Sequence, residues 1–453
     1  MVLNSNLDKL NELRNLINSP LTDSMISLFD AKSFVELDPY MVSDTVIAGY
    51  GKINGRQVYA YSQNIEAMSG AVSSKAVQKI LKIYNLALKT GAPIIGMFDS
   101  FGAKLDEGVA ALSAYGEWMA MVNNLSGVVP QISLIMGTCA GCAAVIACSA
   151  DIIIMKKDAK LFLNGSLNSD VDSAQNAVKA GLVHMVCCDN NETINRAKDV
   201  ISMLPQNNLS LTANFEFSEN DNVASSETIG CELIEAVSDK GSVIELQKGF
   251  GDCIITSFAT VAGKVVGFLF IHDVVCDDGA TKAARFVRLC DAFGIPIVTF
   301  VGSNGLKQTS SYRSIRSIAC AAHAYAEATT AKISFIVGES SGLTHLAFAA
   351  KSSSSDLSIA WVDSSISLLS PLTSVELFWH DKLKGAKNLD LKRDELANEF
   401  KSTVASPFRT AELGDVDLII KPNETRQILI SALDMIENKR VKKQPKKHGN
   451  MLF

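Results

Sequence analysis

The strongest constraint on this 453-residue chain is an internal repeat. Gly91-Ala-Pro-Ile-Ile-Gly-Met-Phe-Asp-Ser-Phe-Gly-Ala-Lys104 aligns without a gap on Gly294-Ile-Pro-Ile-Val-Thr-Phe-Val-Gly-Ser-Asn-Gly-Leu-Lys307. Ile132-Ser-Leu-Ile-Met-Gly-Thr-Cys-Ala-Gly141 aligns in the same way on Ile333-Ser-Phe-Ile-Val-Gly-Glu-Ser-Ser-Gly342. Earlier pieces recur in the same order. The Asn54-Gly55 turn between two apolar runs is answered at Gly263-Lys264, and the amphipathic stretch 73–88 is answered by 281–292. Chance produces one such match; several in one order imply a duplication. The repeated β-α-β order requires parallel strands joined by right-handed crossovers, hence two similar α/β domains in one chain. The expected division is residues 1–225 and 226–453, with polar residues 206–226 as the linker.

Local patterns fill in each half. Leucines at helical spacing predict a helix over 7–17, and a shorter one is expected over 25–29. Tyr50-Gly-Lys-Ile-Asn-Gly-Arg-Gln-Val58 reads as a hairpin, because Asn-Gly accepts the positive φ angles of a two-residue turn. Val77, Ile80, Leu81, Tyr84 and Leu88 should share one face of a helix that Gly91 ends. A buried strand over 93–98, a helix over 112–121 and a strand over 132–136 follow. Helices are also expected over 174–183 and 192–203.

Composition narrows the functional classes. A net charge of −6 argues against a nucleic-acid binder. The first eighteen residues mix acidic with apolar side chains and lack the apolar core of a signal peptide. No residue from Trp118 to Ala150 is charged, but Asn123, Asn124, Pro130 and Gln131 interrupt the stretch, which reads as buried strand and helix rather than a membrane span. Ten cysteines scattered in apolar runs suggest free thiols in a reducing, cytoplasmic setting. Cys139 and Cys142 form a CxxC without the second ligand pair a zinc site needs, so no metal is expected. The six histidines are dispersed; His323 and His345 are read as structural, with a ligand role as the alternative. The basic tail 439–447 reads as a solvated terminus or as a contact for phosphates or an acidic partner.

The repeat concentrates interest on two kinds of place. Each half has a strand-end loop, Ser100–Lys104 and Ser303–Lys307, where open α/β sheets place ligands. Each half also has a strand-to-helix glycine, Gly141 and Gly342, where main-chain N–H groups are exposed to an approaching oxygen. Amides of this kind stabilise an enolate without a side-chain catalyst. Two copies suit transfer of a group between two carbonyl substrates better than hydrolysis of one. Asp99, whose counterpart is Gly302, is expected to cap a helix, with orientation of a loop amide as the alternative.

Several longer stretches carry a family resemblance. They are Tyr50-Gly-Lys-Ile-Asn-Gly-Arg56, Gly91-Ala-Pro-Ile-Ile-Gly96, Val129-Pro-Gln-Ile-Ser-Leu-Ile-Met-Gly137, Ala284-Arg-Phe-Val-Arg-Leu-Cys-Asp-Ala-Phe293, Ala326-Glu-Ala-Thr329 and Lys446-Lys-His-Gly-Asn450. From about Ile26 onward the chain resembles the β-type carboxyltransferase subunits of biotin-dependent acyl-CoA carboxylases. That is the propionyl-CoA carboxylase and transcarboxylase group, which includes the α subunits of sodium-pumping acyl-CoA decarboxylases. The resemblance implies two crotonase-like domains and a hexamer built as a trimer of dimers, homomeric or heteromeric. The N-terminal domain of one subunit faces the C-terminal domain of another. It implies acyl-CoA on the N-terminal domain and carboxybiotin on the C-terminal one. The substrates are of the propionyl-CoA/methylmalonyl-CoA or acetyl-CoA/malonyl-CoA type. Gly141, Cys142, Gly342 and Leu343 are the implied oxyanion elements, with Gly70, Ala71, Ser100, Phe101, Gly102, Ala103, Lys104, Ser303, Asn304 and Gly305 around the substrates.

There is no Met-Lys-Met attachment site, so biotin would arrive on a separate carrier protein, beside a biotin carboxylase or membrane decarboxylase subunit. The chain departs from the family at Phe101, Lys104 and Cys142, and again at Leu343-Thr344 and Ser303–Leu306, with a shorter segment over 307–313. Three readings stay open: a carboxyltransferase, a catalytically degenerate paralogue serving as a binding subunit, and a stand-alone crotonase-type enzyme using a carboxylate such as Glu107.

Overall fold

The computed structural model describes residues 6–9, 20–41, 45–164, 172–307, 312–386, 388–441 and 445–450. Most of the helix expected over 7–17 lies outside the described residues. The chain forms two compact units, Met1–Ala213 and Asn214–Phe453.

In the first unit the Asn54-Gly55 turn, with φ of +51° and +76°, joins β2 (Val46–Ile53) to β3 (Arg56–Gln63). The sheet adds β1 (Val35–Glu36) at one edge and β4 (Ile94–Ser100), β5 (Gln131–Ala140), β6 (Ile152–Lys156) and β8 (Met185–Cys187) on the other side, in the order β1-β2-β3-β4-β5-β6-β8. A short β7 (Lys160–Phe162) pairs with the far end of β5. The strands run parallel from β3 onward, as the crossovers require.

Helix α1 (Ser74–Thr90) begins where the Ser73 hydroxyl accepts the Ala76 N–H and ends at Gly91 in the left-handed region. Its buried face is Ala76, Val77, Ile80, Ile83, Tyr84 and Ala87, so Leu88, expected on that face, is one residue out of phase and 51% exposed. Helix α2 (Val109–Leu125) contributes Trp118, which stacks on Phe98 at 6.0 Å and meets Tyr61 edge-on.

The second unit repeats the plan. Strands β9 (Ile244–Leu246), β10 (Ile254–Val261), β11 (Lys264–Val275), β12 (Ile297–Leu306), β13 (Lys332–Ile336), β15 (Leu357–Trp361) and β17 (Leu418–Ile420) form one sheet in the order β17-β15-β13-β12-β11-β10-β9. A two-stranded sheet pairs β14 (Glu339–Ser341) with β16 (Ser365–Ser367). Phe268, Phe300 and Phe335 fill the core between this sheet and its helices. Helix α4 (Asp277–Ala292) answers α1, and α5 (Tyr312–Glu327) answers α2. The remaining pair of the repeat is α3 (Cys142–Cys148) and α6 (Gly342–Phe348).

Two strands run further than their apolar patterns. β5 continues past Met136 to Ala140, and β12 continues to Leu306, so most of the stretch expected as the loop Ser303–Lys307 is strand. The basic tail is not simply solvated: Lys439 is bound to Asp356 at 2.6 Å and to the Thr330 carbonyl, and Lys446 pairs with Glu327.

Candidate functional site

In the first unit the site grows from the last residue of β4. Ser100 is fully buried; its hydroxyl donates to the Gly70 carbonyl at 2.6 Å and accepts the Gly102 N–H at 3.0 Å. One hydroxyl thereby straps the strand end to the segment entering α1. Further main-chain bonds tighten the joint: Phe101 N–H to the Ser69 carbonyl, Val72 N–H to Gly102, and Lys104 N–H to Val72. Ala103 pairs with Val72 as a single bridge, and Ala71 closes the preceding turn onto Met68. Gly70 admits no side chain, because φ is +69° and a Cβ would stand 2.5 Å from the Asp99 carbonyl oxygen. The Phe101 side chain is 45% exposed and does not plug the interior.

The neighbouring strand supplies the turn. Between Phe98↔Ile135 and Ser100↔Cys139 the register of β5 slips, because extra residues bulge out around Gly137. Asp99 holds that bulge: its carboxylate accepts the Thr138 N–H at 2.8 Å and occupies the space beside Gly137. Asp99 is therefore not the helix cap expected for it. It orients main chain, as in the alternative reading. Burial raises its carboxyl above the ordinary range, against the opposing pull of the Thr138 N–H and Lys156.

Beyond the bulge, Gly141 turns the chain at φ +62°, and its N–H bonds the Phe162 carbonyl at 3.0 Å. Cys142 and Ala143 then open α3, where N–H groups have no acceptor within the helix. The Cys142 side chain is exposed. The two pieces adjoin, since a Cβ on Gly102 would lie 3.8 Å from the Ala140 carbonyl.

The second unit repeats the seryl strap of this joint. The Ser303 hydroxyl donates to the Asp273 carbonyl at 2.6 Å and accepts the Gly305 N–H at 3.2 Å. A Cβ on Gly305 would lie 3.9 Å from the Ser341 hydroxyl, and Gly342 turns at φ +51° into α6. Asn304 lies in β12 between the strapped residues. No carboxylate stands where Asp99 would; Gly302 and Gly338 pack backbone to backbone instead, and β13 stops at Ile336. Leu343 is 57% exposed and lines, with Val275, Leu306, Ile315 and Ile318, a cavity of about 640 Å³.

The seryl strap escaped the sequence reading, although Ser-x-Gly stands at the same repeat position in both halves. Other candidates have partners within their own unit. Glu107 accepts the Ser74 N–H at 2.7 Å at the start of α1, and that bond lowers its pKa. Lys104 lies 3.5 Å from Asp106 and 3.8 Å from Glu107. His345 Nδ1 lies 3.0 Å from the Ser340 hydroxyl, with its pKa lowered by burial, and His323 lies 3.3 Å from Glu327. Among the described residues no three His, Cys, Asp or Glu side chains converge as a metal site, and no helix is long and apolar enough to cross a membrane.

Comparison with known proteins agrees with this geometry. The carboxyl transferase domain model matches residues 24–451. The chain is 32% identical to the methylmalonyl-CoA decarboxylase α subunit of Propionigenium modestum, over 94% of this chain and 91% of that one. It is also 32% identical to the methylmalonyl-CoA carboxyltransferase 12S subunit of Propionibacterium freudenreichii subsp. shermanii, over 90% and 84% of the two chains. The solved transcarboxylase 12S hexamer, with methylmalonyl-CoA and methylmalonic acid bound, superposes with a TM-score of 0.90 at 28% identity, covering 99% of this chain and 98% of that one. With two crotonase-like units, each bearing the strapped strand end, this chain belongs to the carboxyl transferase domain family, the carboxyltransferases of biotin-dependent acyl-CoA carboxylases and decarboxylases.

Proposed function

We propose that the chain moves a carboxyl group between biotin on a separate carrier protein and the α-carbon of a short acyl-CoA, of the methylmalonyl-CoA/propionyl-CoA or malonyl-CoA/acetyl-CoA type. The observation that supports this most directly is the duplicated cradle, Ser100 with Gly70 and Gly102, and Ser303 with Asp273 and Gly305. Each stands beside a glycine turn that presents helix-starting amides. In the first unit the Cys142 and Ala143 amides face a thioester oxygen as it gains enolate charge, which is the point at which fixed N–H donors lower a barrier. Gly70 and Gly102 keep the approach free of side chains, while Ala71, Ala103 and Lys104 flank the acyl-CoA.

In the second unit the apolar wall of Val275, Leu306 and Leu343 fits a fused bicyclic ring, and the Gly342 turn offers N–H groups to its ureido oxygen. Biotin, when bound there, supplies the nitrogen that carries the carboxyl group. The chain's own part is to orient that ring, bind the two oxygens and withhold water. The expected assembly is a hexamer, like the transcarboxylase 12S core, working with biotin-carrying partner subunits.

A second reading has one observation in its favour. Leu343, at a cradle position, lies on the cavity wall, as in a subunit that binds without turning over. One experiment separates the two: decarboxylation of malonyl-CoA or methylmalonyl-CoA by the purified protein with free biotin. Turnover should fall at least about 100-fold in Gly141→Val, because a β-branched residue at φ +62° displaces the adjacent donors. Binding of the CoA ester with no turnover, even with a biotin carrier added, establishes the degenerate subunit instead.

A further inference from the structure

Two thiols of the second unit sit closer together than packing requires. The sulfurs of Cys253 and Cys276 are 3.2 Å apart, and the Cys276 N–H points at the Cys253 sulfur, also at 3.2 Å. Cys253, at the entry to β10, is 8% exposed and packs against Gly279. Cys276 is half-buried and caps α4 by accepting the Gly279 N–H through sulfur at 3.4 Å. At the same place in the first unit the cap is Ser73. A serine hydroxyl does this job better than a thiol, so capping alone does not explain the cysteine.

Access is built in. Cys276 lines the cavity of about 640 Å³, and both thiols line a second, more polar one of about 740 Å³ together with Asp252, His272, Asp273 and Lys307. We infer that Cys253 and Cys276 are a modification site, a dithiol that hydroperoxides convert to a disulfide and that a thiol reductant converts back. The step balances as follows. The Cys276 sulfur attacks one peroxide oxygen and becomes a sulfenic acid, and the other oxygen leaves as water. The Cys253 sulfur then displaces the hydroxyl from Cys276, which departs as water with the Cys253 proton. Two thiols and one hydrogen peroxide give one disulfide and two waters.

Burial pushes the Cys253 thiol up, which makes it the resolving rather than the attacking partner. Bond formation draws the sulfurs from 3.2 Å to about 2.05 Å. The displaced segment is Val274–Asp277, directly after the Asp273 carbonyl that holds Ser303, so oxidation reaches the strapped strand end. The inference concerns these thiols alone and does not depend on the carboxyl-transfer reading.

The test is hydrogen peroxide treatment of the full chain, alkylation of remaining thiols, proteolysis and mass spectrometry. The expected result is a linked pair of peptides carrying Cys253 and Cys276, two hydrogens lighter than their sum and separated again by dithiothreitol. The link is lost in Cys276→Ser, which restores the Ser73-type cap and so keeps its fold by circular dichroism, and in Cys253→Ala. Cys276 recovered as sulfinic or sulfonic acid with Cys253 alkylated overturns the inference. So does a peroxide-treated protein in which both thiols are alkylated, or one in which either thiol is linked to another cysteine. Because the readout is a mass and not a rate, it stands whether or not the protein decarboxylates CoA esters.

Discussion

At the scale of single residues, two buried lysines show how the repeat reuses a costly group. Lys79 in α1 and Lys282 in α4 occupy the sixth position of their helices and are 3% and 2% exposed. Lys79 donates to the Val46 carbonyl at 3.2 Å; Lys282 donates to Gln247 and Phe250 at 3.1 and 3.0 Å, tying down the segment that leads to Cys253. Burial pulls the Lys282 amine down to about 8, with Glu245 and Asp252 opposing. Below pH 8 the ammonium is buried at a cost. Between about 8 and its ordinary value of 10.5 the unfolded chain binds a proton that the folded chain does not, so this group makes stability rise with pH. The wild-type urea midpoint should therefore gain, relative to Lys282→Met, the equivalent of about 1 kcal/mol between pH 8 and 9. A constant difference between the two proteins across that range would contradict the assignment.

At the scale of elements, the decisive one is β5, and it marks what the sequence tells and what it does not. The hairpin at Asn54-Gly55, the Ser73 cap and the Gly91 stop are all legible, because each depends on neighbours a few residues away. The extension of β5 through Gly137 to Ala140 is not, because it is set by Asp99 on another strand, whose carboxylate takes the place of a missing main-chain partner. The exposure of Leu88 was missed for a smaller reason: a 100° step per residue puts Ala87 and Ile83, not Leu88, over the core. Likewise, repeat alignment located Ser100 and Ser303, but only the fold shows that their hydroxyls bond main chain.

Asp99 is then a positioning residue. Asp99→Ala strands the Thr138 N–H at a cost of about 1–3 kcal/mol and loosens the strand that delivers Gly141. The expectation is a drop in kcat of about 10-fold or more with KM for the CoA ester little changed, and recovery of most of it in Asp99→Asn, which keeps an acceptor oxygen. Equal kcat in both variants and the wild type would leave Asp99 with a stabilising role only.

At the scale of the whole molecule, apolar side chains stand in water where the repeat places them in register. In the first unit Leu105, Val109 and Leu112 are 90%, 80% and 63% exposed; in the second, Tyr312 and Ile315 are 88% and 68% exposed at the matching helix start. Such ridges mark surfaces that a partner covers, and the transcarboxylase 12S relative is a hexamer. The double substitution Val109→Glu with Leu112→Glu should lower the mass seen by light scattering to that of a smaller assembly, with circular dichroism unchanged. An unaltered mass would place the interface elsewhere. The seryl strap carries a different kind of consequence, for descent rather than assembly. Ser100 and Ser303 hold only main chain, so the shape of each cradle is set separately from the side chains at 101, 104, 142 and 343. After the duplication, each copy was free to vary those side chains without rebuilding its frame.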